Sequence, residues 1–596
     1  MPTTNRNVTM EEKKKKGLDW ALLRKVMGEA RDYKKYLWLS GIMAVLLAPL
    51  SPLRSHLIQV MVDDHIAIND QKGLLYLTIV VIALIIVEGL LQFTFKILTN
   101  WLGQSVIRDL RVRVFRHITS LRLSYFDTTP IGVSTTRTIN DLETINSVFS
   151  EGIITIIADL MTVILVLIFM LYTSWKLTLI CLVTAPFLVL SSYIFKEKVK
   201  DSFQDVRSEV AKMNAFLQER ISGMRTVQIF NAEQQEFKKF DLINKKLTTA
   251  HVNGVFYYAV FFPVVEILSA ASLGLMVWYG AGSVINGHIT IGVLVAFPVY
   301  ISMLFRPIRM LADKFNTLQM GLVAAERVFI LLDKDKAIEP SGAQAVTKFK
   351  GEIEFKNVDF AYTPESPILR QVSFNVKPQE TLAIVGSTGS GKTTIISLLN
   401  RFYEINGGEI CIDGTDIRSY NLNGLRSRMS IVLQDVFLFS GTVLENITLK
   451  DKSISRARVM EAAQLIGAHD FIVKLPNGYD YEVMERGATL SMGQRQLISF
   501  VRALVFDPDI LILDEATSSI DPETETMIQY AIEKLIAKRT SIIIAHRLST
   551  IRHATNIMVM ERGEVKEFGS HTSLLQNENG HYRSLFDMQY ASALTA

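Results

Sequence analysis

The sequence is poor in cysteine and in charge. Two cysteines in 596 residues, Cys181 and Cys411, cannot build a disulfide framework, and their spacing matches no metal site. Charged residues make up only 20% and nearly cancel, 63 Lys+Arg against 59 Asp+Glu, for a net charge of +4. That balance excludes bulk nucleic-acid binding through a concentrated basic surface. With 49% hydrophobic residues and a mean hydropathy of +0.25, a mainly disordered chain is excluded as well. The first 17 residues are polar, so no cleavable signal peptide is expected. Glu11 and Glu12 ahead of the Lys13–Lys16 run do not fit an acid-poor mitochondrial leader.

What is present is unevenly spread. Six apolar stretches suit a bilayer crossing, which takes about 20 residues. They are Tyr36–Gln59, Leu74–Ile97, Gly152–Thr173, Leu177–Phe195, Val255–Ala281 and Ile289–Ile308. The intervening outer loops, Met61–Gly73, Ser174–Lys176 and Gly282–His288, hold only Lys72 and Lys176 as Lys or Arg. The N-terminus and the segments Thr99–Ser150 and Lys196–His251 are rich in both, which predicts that these segments and both termini face the cytoplasm. Gly17–Asp32 has the spacing of an amphipathic helix at the inner interface. Gln104–Leu121 and Asp205–Ile221 read as membrane helices continued into the cytoplasm, interrupted at Ser124–Thr135 and Ile229–Glu233.

Phe315–Leu332 is a last amphipathic helix, and the polar stretch 333–348, with Pro340 and Gly342, reads as a linker. Beyond it, short β-rich runs alternate with amphipathic helices: Ile353–Phe355, Leu382–Val385, Ile410–Ile412, Met429–Leu433, Ile510–Leu513, Ser541–Ala545 and Ile557–Met560. The expected organisation is therefore an α-helical six-span transmembrane domain over 1–332 and an α/β domain over 349–596.

Gly386-Ser387-Thr388-Gly389-Ser390-Gly391-Lys392-Thr393 fits the phosphate-loop pattern, with an expected strand before it and a helix from Thr394 after it. Its glycines let backbone amides approach phosphate oxygens at a helix N-terminus. Lys392 would neutralise the β/γ-phosphates and Thr393 would place its hydroxyl on Mg²⁺. Further on, Ile510–Leu513 reads as a buried strand ending in Asp514 and Glu515. A carboxylate at that end of a parallel strand lies in the ligand crevice. Asp514 then suits Mg²⁺, and Glu515 suits the orientation or deprotonation of attacking water.

Leu490–Gln494 (LSMGQ) resembles the LSGGQ signature of ATP-binding-cassette (ABC) ATPases, and the other family parts follow in order. By that resemblance Tyr362 stacks on adenine, Gln434 senses γ-phosphate and metal, Ser518–Asp521 forms a dimer-contact loop and His546 is the switch histidine. Ser491, Gly493 and Gln494 would complete the ATP site of an opposite subunit, with Asp521 contacting it across the dimer. Met492 replaces a family glycine there, and Met484 another in a loop that meets the membrane domain.

The whole chain resembles a bacterial half-size ABC exporter, which implies a dimer, ATP with Mg²⁺, and a multi-pass protein of the cytoplasmic membrane. Tyr125–Thr135 and Phe230–Phe240 look like the family's two intracellular hairpin tips. Lipids, drugs and lipid-linked precursors all suit the class as cargo. Other readings are the competent half of a heterodimer, an ATP-gated channel or receptor, and a soluble mechanical ATPase that six spans oppose. Three acids fall within spans, Glu88, Asp159 and Glu266; each faces a wet cavity or makes a helix–helix bond, with Glu266 nearest mid-span. Tyr257, Tyr258, Phe261, Phe262, Phe297 and Tyr300 either line an aromatic pocket or pack.

Overall fold

The computed structural model describes residues 19–334, 342, 344–514, 522–544, 551–552 and 554–594. It divides into two compact units, one of Met1–Thr119 with Pro130–Lys334, the other of Ser120–Thr129 with Asp335–Ala596. Half of the expected linker, 335–341 and 343 within 333–348, falls outside the described residues.

In the first unit every element is helical, because hydrocarbon offers backbone amides no partner but their own chain. Helix α1 (Trp20–Glu29) starts where the Asp19 carboxylate accepts from the amides of Ala21 and Leu22. It is followed by α2 (Lys34–Val60) and α3 (Gln71–Thr119), and then by α4 (Leu123–Thr128), which belongs to the second unit. The chain continues through α5 (Ile131–Thr138), α6 (Asn140–Ser147), α7 (Ile153–Leu182), α8 (Ala185–Ser222), α9 (Met224–Ile229), α10 (Glu233–Ile285) and α11 (Ile291–Leu332). Helix α10 has 53 residues and α3 has 49. At 1.5 Å per residue each is roughly 75–80 Å long, more than twice a hydrocarbon core of about 30 Å. The predicted cytoplasmic continuations are thus the same helices as the spans.

Among the described residues, five helical stretches are long and apolar enough to cross a membrane. The expected fourth span, Leu177–Phe195, is not among them, because the helix breaks at Val183 and Thr184. Pro186 follows in the first turn of α8, where its missing N–H costs little. The turn expected at Ser174–Lys176 is a single extended residue, Ser174 (φ −162°, ψ 103°), inside α7. The expected last span is the apolar stretch Ile291–Pro307, and it runs without a break into the helix read from sequence as separate and amphipathic.

Two acids inside this unit are paired. Glu88, 7% exposed, takes an ion pair from Arg54 at 3.0 Å and a hydrogen bond from Gln92 at 3.2 Å. Asp159 pairs with Lys314 across α7 and α11. The helix–helix reading therefore holds for those two acids, whereas Glu266 is exposed in the single chain. Phe261, Phe297 and Tyr300 are buried in the helical core, with Phe195 stacked on Phe261 at 3.9 Å; Phe262 is exposed.

The second unit holds the expected α/β pattern. An antiparallel sheet joins β1 (Ile353–Thr363), β2 (Ser366–Val376), β4 (Gly407–Ile412) and β5 (Thr415–Asp416) in the order β2-β1-β4-β5. The main sheet contains β3 (Thr381–Gly386), β6 (Met429–Val432), β9 (Ile510–Asp514), β10 (Thr540–Ile544), β11 (Asn556–Glu561) and β12 (Glu564–Gly569). Its order is β12-β11-β3-β10-β9-β6, parallel except for β12, and β7 (Gly441–Thr442) and β8 (Glu482–Val483) form a separate pair. Strands β3, β9 and β10 are almost wholly buried, as continuous apolar runs in a parallel sheet should be.

The base of this sheet is pinned by Asp509. Its carboxylate takes Arg428 through two bonds of 2.7 Å and the Phe349 amide at 2.8 Å. Asp509→Ala leaves a half-buried guanidinium and an amide without their acceptor, a loss of about 2–3 kcal/mol. In the solubilised full-length protein the melting midpoint is expected to fall by about 5 °C, read by scanning fluorimetry.

Candidate functional site

The phosphate loop leaves the C-terminal end of β3 and enters α12 (Lys392–Leu399). Two of its glycines are required by geometry. Gly386 has φ 153°, and a Cβ there would lie 2.2 Å from the Met560 carbonyl oxygen on β11. Gly391, the residue before α12, has φ 102°, and a Cβ would come 2.6 Å from Leu369. Any other residue would be strained at both positions.

Lys392 is 6% exposed, and its ammonium donates to the carbonyls of Gly386 at 2.9 Å and Ser387 at 2.8 Å. A buried ammonium needs such acceptors. Here the loop supplies them itself, which keeps the charge at its centre. Ser390 is 1% exposed, and its Oγ has no hydrogen-bond partner among the described residues. A buried hydroxyl left over inside a ring of amides and one ammonium is the arrangement a polyphosphate completes. Ser387, Thr388, Gly389 and Thr393 are exposed along the loop, and Thr394 is buried beneath it.

Strand register brings the other expected groups to the same edge. Asp514 lies level with Ile544 on β10, which is level with Ile384 on β3. Burial pushes the Asp514 carboxyl above the usual range, and the Lys392 ammonium pulls it partly back. Gln434 follows β6, whose Val432 pairs with Leu513, so its exposed side chain stands beyond the same end of the sheet. The residues present thus fit a nucleotide with its metal: an anion cradle, and a carboxylate and a hydroxyl at one sheet edge. Glu515, Asp521 and His546 lie outside the described residues.

Tyr362 stands on β1 with half its surface open, and its hydroxyl lies 3.3 Å from Thr394 Oγ1. Phe360 meets it edge-on at 4.9 Å, and so does Tyr403 at 5.0 Å. Sequence reasoning missed Tyr403. No pattern marks that aromatic, and only the fold brings it beside Tyr362.

The signature segment opens the helix Met492–Val505 with a reciprocal cap. Ser491 Oγ accepts from the Gln494 amide at 3.2 Å, and Gln494 Oε1 accepts from the Ser491 amide at 3.0 Å. The cap uses one face of each side chain and leaves the Ser491 hydroxyl proton for a further acceptor. Gly493 is buried in the first turn and Met492 is half-buried beside it. Removal of the central charge gives the sharpest test of the loop. Lys392→Ala is expected to weaken Mg²⁺-ATP binding about 10- to 100-fold, from the loss of charge-assisted bonds of about 1.5–3 kcal/mol. Equilibrium titration with a fluorescent ATP analogue measures it, with unchanged far-UV circular dichroism as the control.

Comparison with known proteins agrees across both units. The family described as ABC transporter transmembrane region matches residues 37–308, and the one described as ABC transporter matches 369–518. An uncharacterized ABC transporter ATP-binding protein of Bacillus subtilis is 40% identical over 587 residues, 97% of this chain and 96% of the relative. An ATP-dependent lipid A-core flippase of Desulfotalea psychrophila is 36% identical, covering 95% of this chain and 99% of its own length. The protein of the same description in Escherichia coli K12 is 32% identical, over 96% and 98%. The transmembrane match and the ATPase match thus follow one another in one chain. The chain belongs to the ABC transporter family, as a bacterial exporter half-transporter whose ATPase is coupled to transport.

Proposed function

We propose that the protein uses ATP hydrolysis to move a lipid or lipid-like amphiphile outward across the cytoplasmic membrane, as a dimer of two copies. One observation carries the reading: the likeness to lipid A-core flippases runs through the transmembrane unit as well as the ATPase. In this reading both termini and the nucleotide site face the cytoplasm. The amides of Gly386–Thr393 cradle the phosphates, Lys392 transfers its bonds from loop carbonyls to phosphate oxygens, and Ser390 gains a partner. Tyr362 stacks on the adenine, while Thr393, Asp514 and Gln434 hold Mg²⁺ when it is bound. The metal would offset charge on the leaving phosphates. Glu515 orients and deprotonates the attacking water, and His546 holds the γ-phosphate.

The signature explains the second copy. One chain carries one phosphate loop and one signature, and the capped N-terminus at Ser491 still has a hydroxyl proton to give. A signature from each chain closing on the other's phosphate loop would sandwich two ATPs, with Asp521 contacting across the dimer. ATP then drives closure only as far as it prefers the closed state; moving from 1:99 to 99:1 takes about 5.5 kcal/mol.

Met492 favours one second reading, a heterodimer with a paralogous half, in which this chain supplies Glu515. Two experiments decide between these. Purified alone in proteoliposomes, the chain is expected to hydrolyse ATP; persistent inactivity relieved by a partner chain sinks the homodimer. Glu515→Gln is expected to keep ATP binding and to lose at least about 100-fold in steady hydrolysis and lipid movement, in line with removal of a general base. Undiminished flux in that variant would overturn the pump in favour of an ATP-gated passage.

A further inference from the structure

The chain between β6 and β7 carries Gln434, and it is held by a buried cation. After Val432 it runs through 433–440 outside any helix or strand. Arg502 lies in the last turn of the signature helix Met492–Val505. Its Nε donates to the Asn446 carbonyl at 2.9 Å, and both terminal nitrogens donate to the Phe437 carbonyl at 3.4 Å. Among the described residues its hydrogen bonds all go to backbone carbonyls, and burial holds the guanidinium below its ordinary value.

Asn446, 2% exposed on the short helix Val443–Thr448, holds the same segment further on. Its side chain accepts from the Phe439 amide at 2.8 Å and donates to the carbonyls of Phe439 at 2.9 Å and Thr442 at 3.1 Å. Upstream, Val432 pairs with Leu513, the residue before Asp514. Gln434 thus stands on a bridge of four residues, 433–436, between the sheet and the carbonyl that Arg502 holds. Without that bond the next tied backbone group is at Phe439, and the bridge grows to six residues, 433–438. A guanidinium taken out of water without a carboxylate costs stability, so packing alone favours an apolar side chain there. What the charge adds is strength and direction in the bonds to carbonyls.

We propose that Arg502 is a positioning residue for hydrolysis, which fixes the 433–436 bridge so that the Gln434 side chain reaches Mg²⁺ and the γ-phosphate. The proposal rests on the reading of Gln434 as a metal-contacting group. Gln434 is exposed, so its placement depends on the backbone that carries it. The phosphate loop is built separately. It leaves β3, with β10 and β9 between it and β6, and takes its shape from its own glycines and Lys392. Loss of the Arg502 donors therefore impairs use of the metal and leaves binding of the metal-free nucleotide to the loop. A general loosening of the ATPase unit would weaken both.

Steady-state hydrolysis by the full-length protein in proteoliposomes, titrated with Mg²⁺ at fixed ATP, tests this without knowledge of the cargo. Arg502→Met keeps most of the side chain's length and loses its donors. It is expected to raise the Mg²⁺ concentration for half-maximal hydrolysis about fivefold, the scale of one hydrogen bond lost. Its affinity for a fluorescent ATP analogue in EDTA is expected to match the wild type. Arg502→Lys keeps one charged donor, which cannot hold both carbonyls, so its Mg²⁺ requirement should fall between the two. Gln434→Ala should shift the requirement at least as far, and adding Arg502→Met to it should shift it no further. The proposal is overturned if Arg502→Met weakens binding in EDTA as much as it raises the Mg²⁺ requirement, or if its effect adds in full to that of Gln434→Ala. Should Arg502→Met fail to fold, an unchanged Mg²⁺ requirement in Arg502→Lys overturns it equally. Gln434→Ala tests the underlying reading separately. A wild-type Mg²⁺ requirement there rejects Gln434 as a metal contact, whereas a shifted one beside an unmoved Arg502→Met rejects only the role of Arg502.

Discussion

The ATPase unit is organised around one buried cation. Lys392 lies at the start of α12 with its ammonium turned back onto two carbonyls of its own loop. Burial of an unpaired ammonium is costly, so the loop must curl around it, and the curl requires backbone that only glycine adopts at Gly386 and Gly391. The same curl leaves Ser390 Oγ without a partner among the described residues. Strand order does the rest: β3, β10 and β9 lie side by side, so the loop and Asp514 share one edge. An anion with several oxygens satisfies all of these groups together.

The first unit obeys a different solvent. Its helices expose large apolar side chains, Trp38 and Trp278 among them, that a water-soluble bundle would bury. Two of its acids sit in cross-helix pairs, Glu88 with Arg54 and Asp159 with Lys314. Such pairs offset desolvation and fix which helices are neighbours more than they add stability. Proline is tolerated inside α2, α10 and α11, where neighbouring helices and local adjustments satisfy the freed carbonyls.

Much of this was legible in the linear pattern. Each of the seven β-rich runs expected beyond residue 349 marks a strand, although Leu433 lies past the end of β6 and Ala545 outside the described residues; in the main sheet the signal is strong because a parallel core strand is a continuous apolar run. Strands β2 and β12 were not read, since both mix exposed with buried or half-buried positions and neither is a continuous apolar run. Helix breaks were less legible. The extended residue at Ser174 falls at the start of the expected loop, but the break at Val183–Thr184 lies inside the expected fourth span, where averaged hydropathy cannot resolve it. The three acids of the spans looked alike in sequence; only the fold shows which cations Glu88 and Asp159 meet on neighbouring helices and that Glu266 is exposed.

By itself the sequence determined the class of machine: long apolar runs select a bilayer, and a glycine-rich loop with one lysine selects a polyphosphate. Those properties depend on residues adjacent in the chain, so they survive without a fold. Tertiary structure decided the rest. It turned Lys392 onto its own loop, used Gln494 to cap Ser491, paired the membrane acids and brought Tyr403 between Tyr362 and Asp127. The membrane pairs and the Tyr403 contacts join residues whose separation along the chain carries no signal, whereas the Lys392 and Gln494 contacts are local. Each exists because a buried polar group must find a partner, and only the packed helices and sheets settle which one lies within reach.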